Sequence, residues 1–153
     1  SIDWDRRYAI MRYHTAVHLI DAVMESDLNS GIITGNQLYA DRARMDIDFP
    51  EFTREKAQKV IDKCNAIAKE GHDVTAKQMS REEALNEPRL VRTEPGRKLI
   101  ESLPAVRVVE ISGIDKQMDG GTHVMNTKEI GEIKLTDYVN KGTHNKRMEI
   151  KLL

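Results

Sequence analysis

The chain has 153 residues, of which 32% are charged and 39% hydrophobic, and its formal net charge is −1. This length suits one domain that buries roughly two-thirds of the surface exposed by its unfolded form. The near-neutral charge lacks the basic balance typical of nucleic-acid-binding domains, so a nucleic-acid partner would need a local basic patch. Cys64 is the only cysteine, which excludes an intrachain disulfide and a cysteine-only zinc site. It lies on the apolar stripe of a predicted helix, which is typical of a core residue.

Membrane and secretion signals do not stand out in the sequence. The longest apolar runs are far too short to cross a bilayer. The first residues do not combine a basic segment, an apolar stretch and a small-residue cleavage site. We therefore expect a cytoplasmic protein without a membrane partner.

The predicted elements begin with a helix over residues 5–26, in which apolar residues recur at alternating spacings of three and four. Three turn residues follow the helix, Asn29, Ser30 and Gly31. Two strands are predicted next, at 32–39 and 43–49, and the second alternates apolar with charged side chains until Pro50 ends it. These patterns indicate a helix with one buried stripe, followed by a pair of strands of which the second is half-buried.

A second amphipathic helix, over residues 53–70, shows the clearest periodicity, and Gly71 is its expected terminator. Residues 72–79 favour a short strand. Ser80 and Glu83 form a capping box, which predicts a short helix after that strand.

The remaining residues favour strands. One is predicted at 106–111, and a hairpin is predicted from strands at 133–139 and 148–152 around the polar loop 140–145. Residues 86–103 show no clear pattern. Interspersed helices and strands with at least one hairpin predict an α+β domain, with a mainly antiparallel sheet and helices packed on one of its faces.

Two histidines of the first predicted helix, His14 and His18, are four residues apart. This spacing places them on one face of the helix beside the apolar stripe, where two imidazole nitrogens can face one metal ion. The spacing is equally typical of two partly buried structural histidines. It leaves both interpretations open.

A second candidate group lies in the run 118–124, where Asp119 precedes His123 by four residues. Gly120 and Gly121 give the backbone freedom that allows a loop to approach an ion or a ligand closely. The run would add an oxygen and a nitrogen ligand to the helical pair, giving a set of three histidines and one aspartate. An ordinary Asp-Gly-Gly turn with a surface histidine is the alternative.

The resemblance to a known family rests on two motifs, HTAVHL at residues 14–19 and GGTHV at residues 120–124. In this order and at this separation they resemble the paired histidine motifs of the editing domains of alanyl- and threonyl-tRNA synthetases and of their free-standing, AlaX-type relatives. The flanking residues 11–13 (MRY) and 126–131 (NTKEIG) support the resemblance, which spans about residues 3–152.

The resemblance implies a zinc ion bound by His14, His18 and His123. Asp119 stands where many relatives have a cysteine, and a carboxylate oxygen is a harder ligand than a thiolate, so the number of protein ligands stays open. Larger relatives carry a further domain ahead of this one. We therefore interpret residues 1–153 as a single zinc-binding editing domain, with the alternative that it is a fragment lacking an amino-terminal domain.

The resemblance also implies a pocket for the aminoacyl group. In the family this pocket is lined by the segment between the first helix and the second strand, here residues 34–37 (TGNQ). We expect Thr34 and Gln37 to act there by orienting water or holding a small polar side chain, with a simple polar turn as the alternative. Substrate contacts are also expected from three loop residues, Gly120, Gly121 and Thr122.

The activity implied by the resemblance is zinc-dependent hydrolysis of the aminoacyl ester of mischarged tRNA(Ala), with seryl- and glycyl-tRNA(Ala) as substrates. The expected partner is the acceptor end of tRNA, and no DNA partner is expected. A pocket that separates amino acids by one methyl or hydroxyl group achieves only about 10- to 200-fold discrimination, so a second hydrolytic step has a purpose. Two alternatives stay open: a zinc-stabilised module that binds the acceptor end without catalysis, and a metalloesterase for other acyl esters.

Overall fold

The computed structural model describes residues 2–28, 32–91 and 94–153. The helices within these ranges are α1 (Trp4–Leu28), α2 (Arg54–Glu70), α3 (Arg81–Leu85), α4 (Pro88–Val91) and α5 (Glu94–Glu101), with a 3-10 helix at Thr127–Ile130. The strands are β1 (Ile32–Leu38), β2 (Ala43–Asp48), β3 (Val74–Ser80), β4 (Ala105–Ile111), β5 (Asp115–Met118), β6 (Ile133–Asn140) and β7 (Lys146–Leu152). The turn predicted at Asn29, Ser30 and Gly31 lies outside the described residues.

The strands form two sheets, with the order β1-β2-β7-β6 in the first and β3-β4-β5 in the second. Within the described ranges each ladder is antiparallel, which confirms the predicted α+β class. The division into two sheets is not contained in the sequence pattern. Period-two alternation specifies which face a residue occupies, but not which strand lies next to it.

Helices α1 and α2 pack with one face of the four-stranded sheet to form the main core. In β2 every second side chain is buried, at Ala43, Met45 and Ile47, as the alternation predicts. Met45 lies opposite Met148 of β7, and Ala43 opposite Ile150, so the two central strands present one continuous apolar face. Helices therefore cover one face of this sheet, as expected.

The second sheet is buried on both faces of its central strand β4. Val109 and Ile111 face the main core, whereas Val106 and Val108 face a smaller core formed with α3, α4 and α5. Strand β5 lies at the edge of this sheet next to α1, and the Gln117 side chain donates a hydrogen bond to the carboxylate of Asp21 on that helix. This contact brings the loop after β5 to the face of α1 that carries the histidines.

Helices α4 and α5 lie in the segment 86–103, where no element is predicted. They are four and eight residues long, which is too short for a helical period to show in the sequence. Pro88 occupies the first position of α4, where its missing N–H group loses no hydrogen bond. The buried side chains of Leu90 and Ile100 hold the two helices against the sheet.

The longer helices begin and end close to their predicted positions. Thr53 caps α2 by accepting a hydrogen bond from the backbone of Lys56, and Gly71 ends it in a left-handed conformation with φ 79°. Helix α1 extends slightly beyond both predicted ends. In the part of the chain that the structure describes, no helix has the length and apolar character needed to cross a membrane.

Candidate metal centre

Four side chains selected from the sequence lie together where α1 passes the loop after β5. His14 and His18 project from α1, and Asp119 and His123 come from the loop between β5 and the 3-10 helix. The Oδ2 atom of Asp119 lies 3.0 Å from Nε2 of His14, 3.0 Å from Nε2 of His18 and 2.6 Å from Nε2 of His123. The structure therefore brings together all four predicted metal ligands.

The spacing of these four side chains suits a single metal ion. One ligand atom from each side chain lies within 4.8 Å of the others. Around a tetrahedral zinc ion with ligand bonds of 2.0–2.1 Å, neighbouring ligand atoms are about 3.4 Å apart. His18 is buried and the other three residues are partly buried, so that the group is screened from bulk water without being closed off. These residues could hold a metal ion.

The hydroxyl group of Thr15 determines which nitrogen of the His123 ring carries hydrogen. Thr15 is fully buried, and its Oγ1 donates to the backbone oxygen of Met11 at 3.1 Å. Since its hydrogen is used there, the hydroxyl can only accept from His123 Nδ1, 3.0 Å away, and from the backbone nitrogen of Val124. In neutral His123 the hydrogen is on Nδ1, and the Nε2 lone pair faces Asp119.

The His14 ring is fixed in the same way by a backbone carbonyl. Its Nδ1 lies 3.2 Å from the oxygen of Thr122, which can only accept a hydrogen bond, so the Nε2 lone pair of neutral His14 also faces Asp119. Lone pairs at 2.6 and 3.0 Å from a carboxylate oxygen are unfavourable unless a proton or a cation lies between them. Protonating every ring would concentrate positive charge in a partly buried space. One metal ion, in contrast, could bind the lone pairs of the imidazole nitrogens and the carboxylate together.

Burial and charge act in opposite directions on the pKa values of this group. Burial alone would raise the pKa of the Asp119 carboxyl, but His123, His14 and His18, which donate hydrogen bonds to it through Nε2 when their rings are protonated, hold this pKa far below its usual range. Burial lowers the pKa of His123. At His14 burial also acts to lower the pKa, but the Asp119 carboxylate outweighs it and the pKa is raised. Asp119 is therefore ionised at neutral pH, as a metal-binding carboxylate must be.

Arg107 of β4 holds the loop that carries Asp119. Its Nη1 donates to the backbone oxygens of Asp119 and Gly121, both at 2.8 Å. The Asp119 backbone nitrogen donates in turn to the backbone oxygen of Arg107 at 3.1 Å. One guanidinium group thus fixes the two carbonyls that flank the Gly120 position.

The two loop glycines differ in what surrounds them. A Cβ atom at Gly121 would collide with the imidazole of His14 and would lie 3.3 Å from Oδ1 of Asp119. A Cβ atom at Gly120 would meet nothing within 4 Å. Of the two glycines, it is therefore Gly121 that allows the backbone to approach His14 closely. The Gly121 nitrogen donates a hydrogen bond to Asp119 Oδ1 at 2.8 Å, which holds it there.

The residues that flank the two motifs pack the motifs against each other. Arg12 of α1 donates to the backbone oxygens of Glu129 and Ile130 at 2.9 and 2.7 Å. The hydroxyl of Tyr8 donates to the Glu129 carboxylate at 2.6 Å, and Glu129 also accepts from the backbone nitrogen of Met125. These contacts hold α1 against the segment that follows His123 and thus support the histidine cluster from outside.

A small cavity of about 120 Å³ opens beside His18. It is lined by Val17, His18, Asp21, Ile33, Asn36 and Gln117. A larger groove of about 260 Å³ lies at Glu87, Arg89 and Gly113, but none of the three histidines lines it. Of these two cavities in the described part of the chain, the smaller one contacts the candidate metal centre, through His18.

The predicted pocket residues Thr34 and Gln37 are placed on β1 but do not line this cavity. Thr34 Oγ1 donates to the backbone oxygen of Asp46 at 3.4 Å, and Gln37 Oε1 accepts from Arg44 at 2.7 Å. Both contacts are to the neighbouring strand β2. The β1 side chains next to His18 are instead Ile33 and Asn36.

Sequence reasoning does not identify Thr15, Arg107, Asp115 or Gln117. Thr15 lies inside the first motif, but only the fold shows that its hydroxyl meets His123. Asp115, Gln117 and Asp119 are spaced by two residues along β5 and its end. In a strand this spacing places side chains on one face, so it is a signal that Asp115 and Gln117 lie on the same side as Asp119. Arg107 precedes Asp119 by twelve residues, and the pairing of β4 with β5 brings its side chain to the loop.

Cys64 is confirmed as a core residue. Its side chain is fully buried on α2, and burial raises the pKa of its thiol well above the usual range. A thiol that remains protonated and enclosed is not a nucleophile for an external ester.

Comparisons with known proteins agree with the motifs. The family described as "Threonyl and Alanyl tRNA synthetase second additional domain" matches residues 106–149. An alanyl-tRNA editing protein AlaX-M of Methanosarcina mazei is 44% identical over 153 residues, covering 99% of this chain and 60% of the relative. One of Saccharolobus solfataricus is 41% identical over 148 residues, covering 97% and 61%.

The similarity extends to synthetases. An alanine–tRNA ligase of Methanococcus vannielii is 36% identical over 150 residues, which cover 93% of this chain and 16% of the ligase. The chain spans about 60% of the length of the AlaX-M relatives that it matches. By motif, by the family match over residues 106–149 and by identity over nearly all of its residues, the chain is similar to AlaX-type alanyl-tRNA editing proteins and to part of alanine–tRNA ligases.

Proposed function

We propose that the chain is a zinc-dependent hydrolase that deacylates mischarged tRNA(Ala) in trans. Its proposed substrates are seryl-tRNA(Ala) and, second, glycyl-tRNA(Ala), bound through the acceptor end. The observation that carries the proposal is the convergence of three histidine Nε2 atoms and one carboxylate on one point, beside a small cavity. The names of the AlaX-M relatives support the choice of an alanyl-tRNA substrate.

Zinc is the proposed ion because the donors are three imidazole nitrogens and one carboxylate, a set that suits it. A zinc ion held by His14, His18, Asp119 and His123 would supply Lewis acidity toward an ester carbonyl or a water molecule. The chain keeps the histidine rings aimed at that point through Thr15 and the carbonyl of Thr122. Water is the proposed nucleophile, since the Cys64 thiol is enclosed in the core.

The cavity beside His18 is the proposed site of the aminoacyl side chain. Its volume of about 120 Å³ is well below the range of about 300–1,000 Å³ of pockets for drug-sized ligands, which suits a small amino acid. Asn36 and Gln117 bring amide groups to it, and Asp21 brings a carboxylate. A serine hydroxyl that hydrogen-bonds the Asn36 amide makes a contact that alanine cannot make, which favours the mischarged ester.

A second candidate function is a non-catalytic module in which zinc only stabilises the fold while the domain binds the tRNA acceptor end. The observation that favours it is the ionised Asp119, which supplies a fourth protein donor. Four protein ligands are typical of structural zinc sites, and three with one open position are typical of catalytic sites.

The test is a deacylation assay with seryl-, glycyl- and alanyl-tRNA(Ala), run with the purified chain before and after removal of metal by a chelator. We expect hydrolysis of seryl-tRNA(Ala) to be fastest, to stop without metal and to return when zinc is added. Tight tRNA binding without hydrolysis in the zinc-loaded protein would favour the binding module. Hydrolysis that survives complete metal removal would contradict the zinc-dependent mechanism.

A further inference from the structure

We propose that Asp115 is a positioning residue for the metal centre, where its carboxylate orients the His18 ring so that Nδ1 carries the hydrogen and Nε2 faces the ion. The inference rests on the zinc centre proposed above and adds to it a residue that is in neither histidine motif.

His18 differs from the other two histidines in the partner of its outer nitrogen. The Nδ1 atoms of His14 and His123 have hydrogen-bond partners in Thr122 and Thr15. His18 Nδ1, in contrast, is buried and has no hydrogen-bond partner among the residues that the structure describes. Because leaving such a group unpaired is unfavourable, its surroundings have to compensate it.

Asp115 supplies that compensation. Its Oδ2 atom lies 3.8 Å from His18 Nδ1, and the side chains of Asp115 and His18 are only 5% and 9% exposed. This distance is longer than a hydrogen bond but too short for a water molecule to lie between the atoms. The interaction is therefore direct and electrostatic, and a carboxylate in this position favours the form of His18 with hydrogen on Nδ1.

Gln117 holds the Asp115 carboxylate in place. Its Nε2 donates to Asp115 Oδ2 and to Asp21 Oδ2, both at 2.9 Å. An amide nitrogen carries two hydrogens, so one group serves a carboxylate on β5 and another on α1. Asp21 lies three residues after His18, and the amide thus ties Asp115 to the same turn of the helix as the histidine.

A buried carboxylate next to a metal-binding imidazole makes the imidazole a better-oriented and more basic ligand. In the metal-free protein the same buried charge is unfavourable, because the cost of removing it from water exceeds its attraction to His18 Nδ1 at 3.8 Å. The proposal therefore predicts opposite effects of removing the charge: weaker zinc binding, and metal-free stability that is unchanged or higher. A residue that merely supports the fold would not separate these two effects.

The experiment compares Asp115→Asn with Glu87→Gln, both of which exchange a carboxylate for an amide of the same shape. Glu87 pairs with Lys116 at 3.0 Å, next to Asp115 in sequence, and makes no hydrogen bond or ion pair to the ligand histidines in the described structure. Zinc affinity is measured by competition with a chromogenic chelator, and metal-free stability by thermal unfolding. We expect Asp115→Asn to weaken zinc binding by about 10- to 100-fold without lowering the metal-free midpoint, and Glu87→Gln to keep wild-type zinc affinity.

Wild-type zinc affinity in Asp115→Asn would overturn the proposal, as would parallel losses of zinc affinity and metal-free stability. If Asp115→Asn does not fold, nitrogen NMR of the histidine rings in the zinc-loaded wild type decides the matter. Hydrogen on His18 Nδ1 is the expected result, and zinc on that atom would overturn the proposal. If the wild-type protein binds no zinc, the proposed metal centre itself is wrong. If the wild type binds zinc but Asp115→Asn binds it equally well, only the proposal for Asp115 is wrong.

Discussion

The histidine cluster and the polar segment of β1 both carry polar side chains that the sequence predicts to be functional, but these side chains are engaged differently. In the cluster, His14 and His123 are held from behind by hydrogen bonds, so that their Nε2 atoms point to a common centre. In β1, the polar atoms of Thr34 and Gln37 are bound to the neighbouring strand. Polar residues close to a site therefore become part of it only where the fold leaves their reactive atoms facing the substrate or ion.

The largest effect is expected from removing the helical ligands. His14→Ala together with His18→Ala should reduce bound zinc from about one ion per chain to none, because two ligands cannot hold the ion. Elemental analysis after purification without chelator measures this. Unchanged zinc content in the double variant would show that the ion is bound elsewhere. The histidine cluster would then not differ from the polar segment of β1 by binding a metal ion.

The two loop glycines provide a matched pair for the next largest effect. Gly121→Ala places a methyl group against the His14 ring, so we expect zinc affinity to fall at least about tenfold through displacement of a ligand. Gly120→Ala, with open space around the new methyl group, should keep wild-type affinity. Competition with a chelator gives both values, and equal affinities for the two variants would contradict the close approach of the loop to His14.

Substrate preference should separate the cavity from the rest of β1. Asn36→Ala should reduce the preference for seryl- over alanyl-tRNA(Ala) by about tenfold, because it removes a polar group beside His18. Thr34→Val and Gln37→Ala should reduce it less, since those side chains are engaged by β2. The ratio of the two deacylation rates is the measurement. A larger loss in Thr34→Val than in Asn36→Ala would return the specificity role to Thr34.

The smallest effect is expected at His72, outside the cluster. The Glu70 carboxylate at 2.8 Å raises the pKa of His72 above its ordinary value of 6.5, and the Ser112 carbonyl adds to the shift. A histidine with a raised folded-state pKa stabilises the fold fully below pH 6.5, and this stability is lost as the pH rises through the folded value. His72→Gln should therefore lower the unfolding free energy by about 1 kcal/mol or less in acid and by less in mild alkali.

Chemical denaturation of the metal-free wild type and His72→Gln at about pH 5.5 and about pH 8.5 measures this difference. The metal-free form is used so that zinc binding does not add its own pH dependence. A difference in unfolding free energy that is the same at both pH values would show that the ion pair with Glu70 contributes no stability.

The sequence predicts those features that depend on local spacing. The amphipathic period of α2, the alternation in β2 and the four-residue spacing of His14 and His18 each translate directly into the structure. The family motifs then predict that Asp119 and His123 join the helical pair, although they are about a hundred residues away in the chain.

Features that depend on long-range pairing could not be predicted in this way. The position of Arg107 beside the loop that carries Asp119 follows from the pairing of β4 with β5, and that of Asp115 beside His18 follows from packing of β5 against α1. Helices α4 and α5 are too short to show a period and are held by Leu90 and Ile100 in a small second core. These contacts arise between segments, and local patterns specify them poorly.

The most direct test of the metal centre is diffraction from crystals of the zinc-loaded protein, recorded on both sides of the zinc absorption edge. The four converging side chains predict one anomalous peak among Nε2 of His14, His18 and His123, with a carboxylate oxygen of Asp119 facing it. No peak at this position, with the three rings still gathered around Asp119, would contradict the assignment of the cluster as a metal centre.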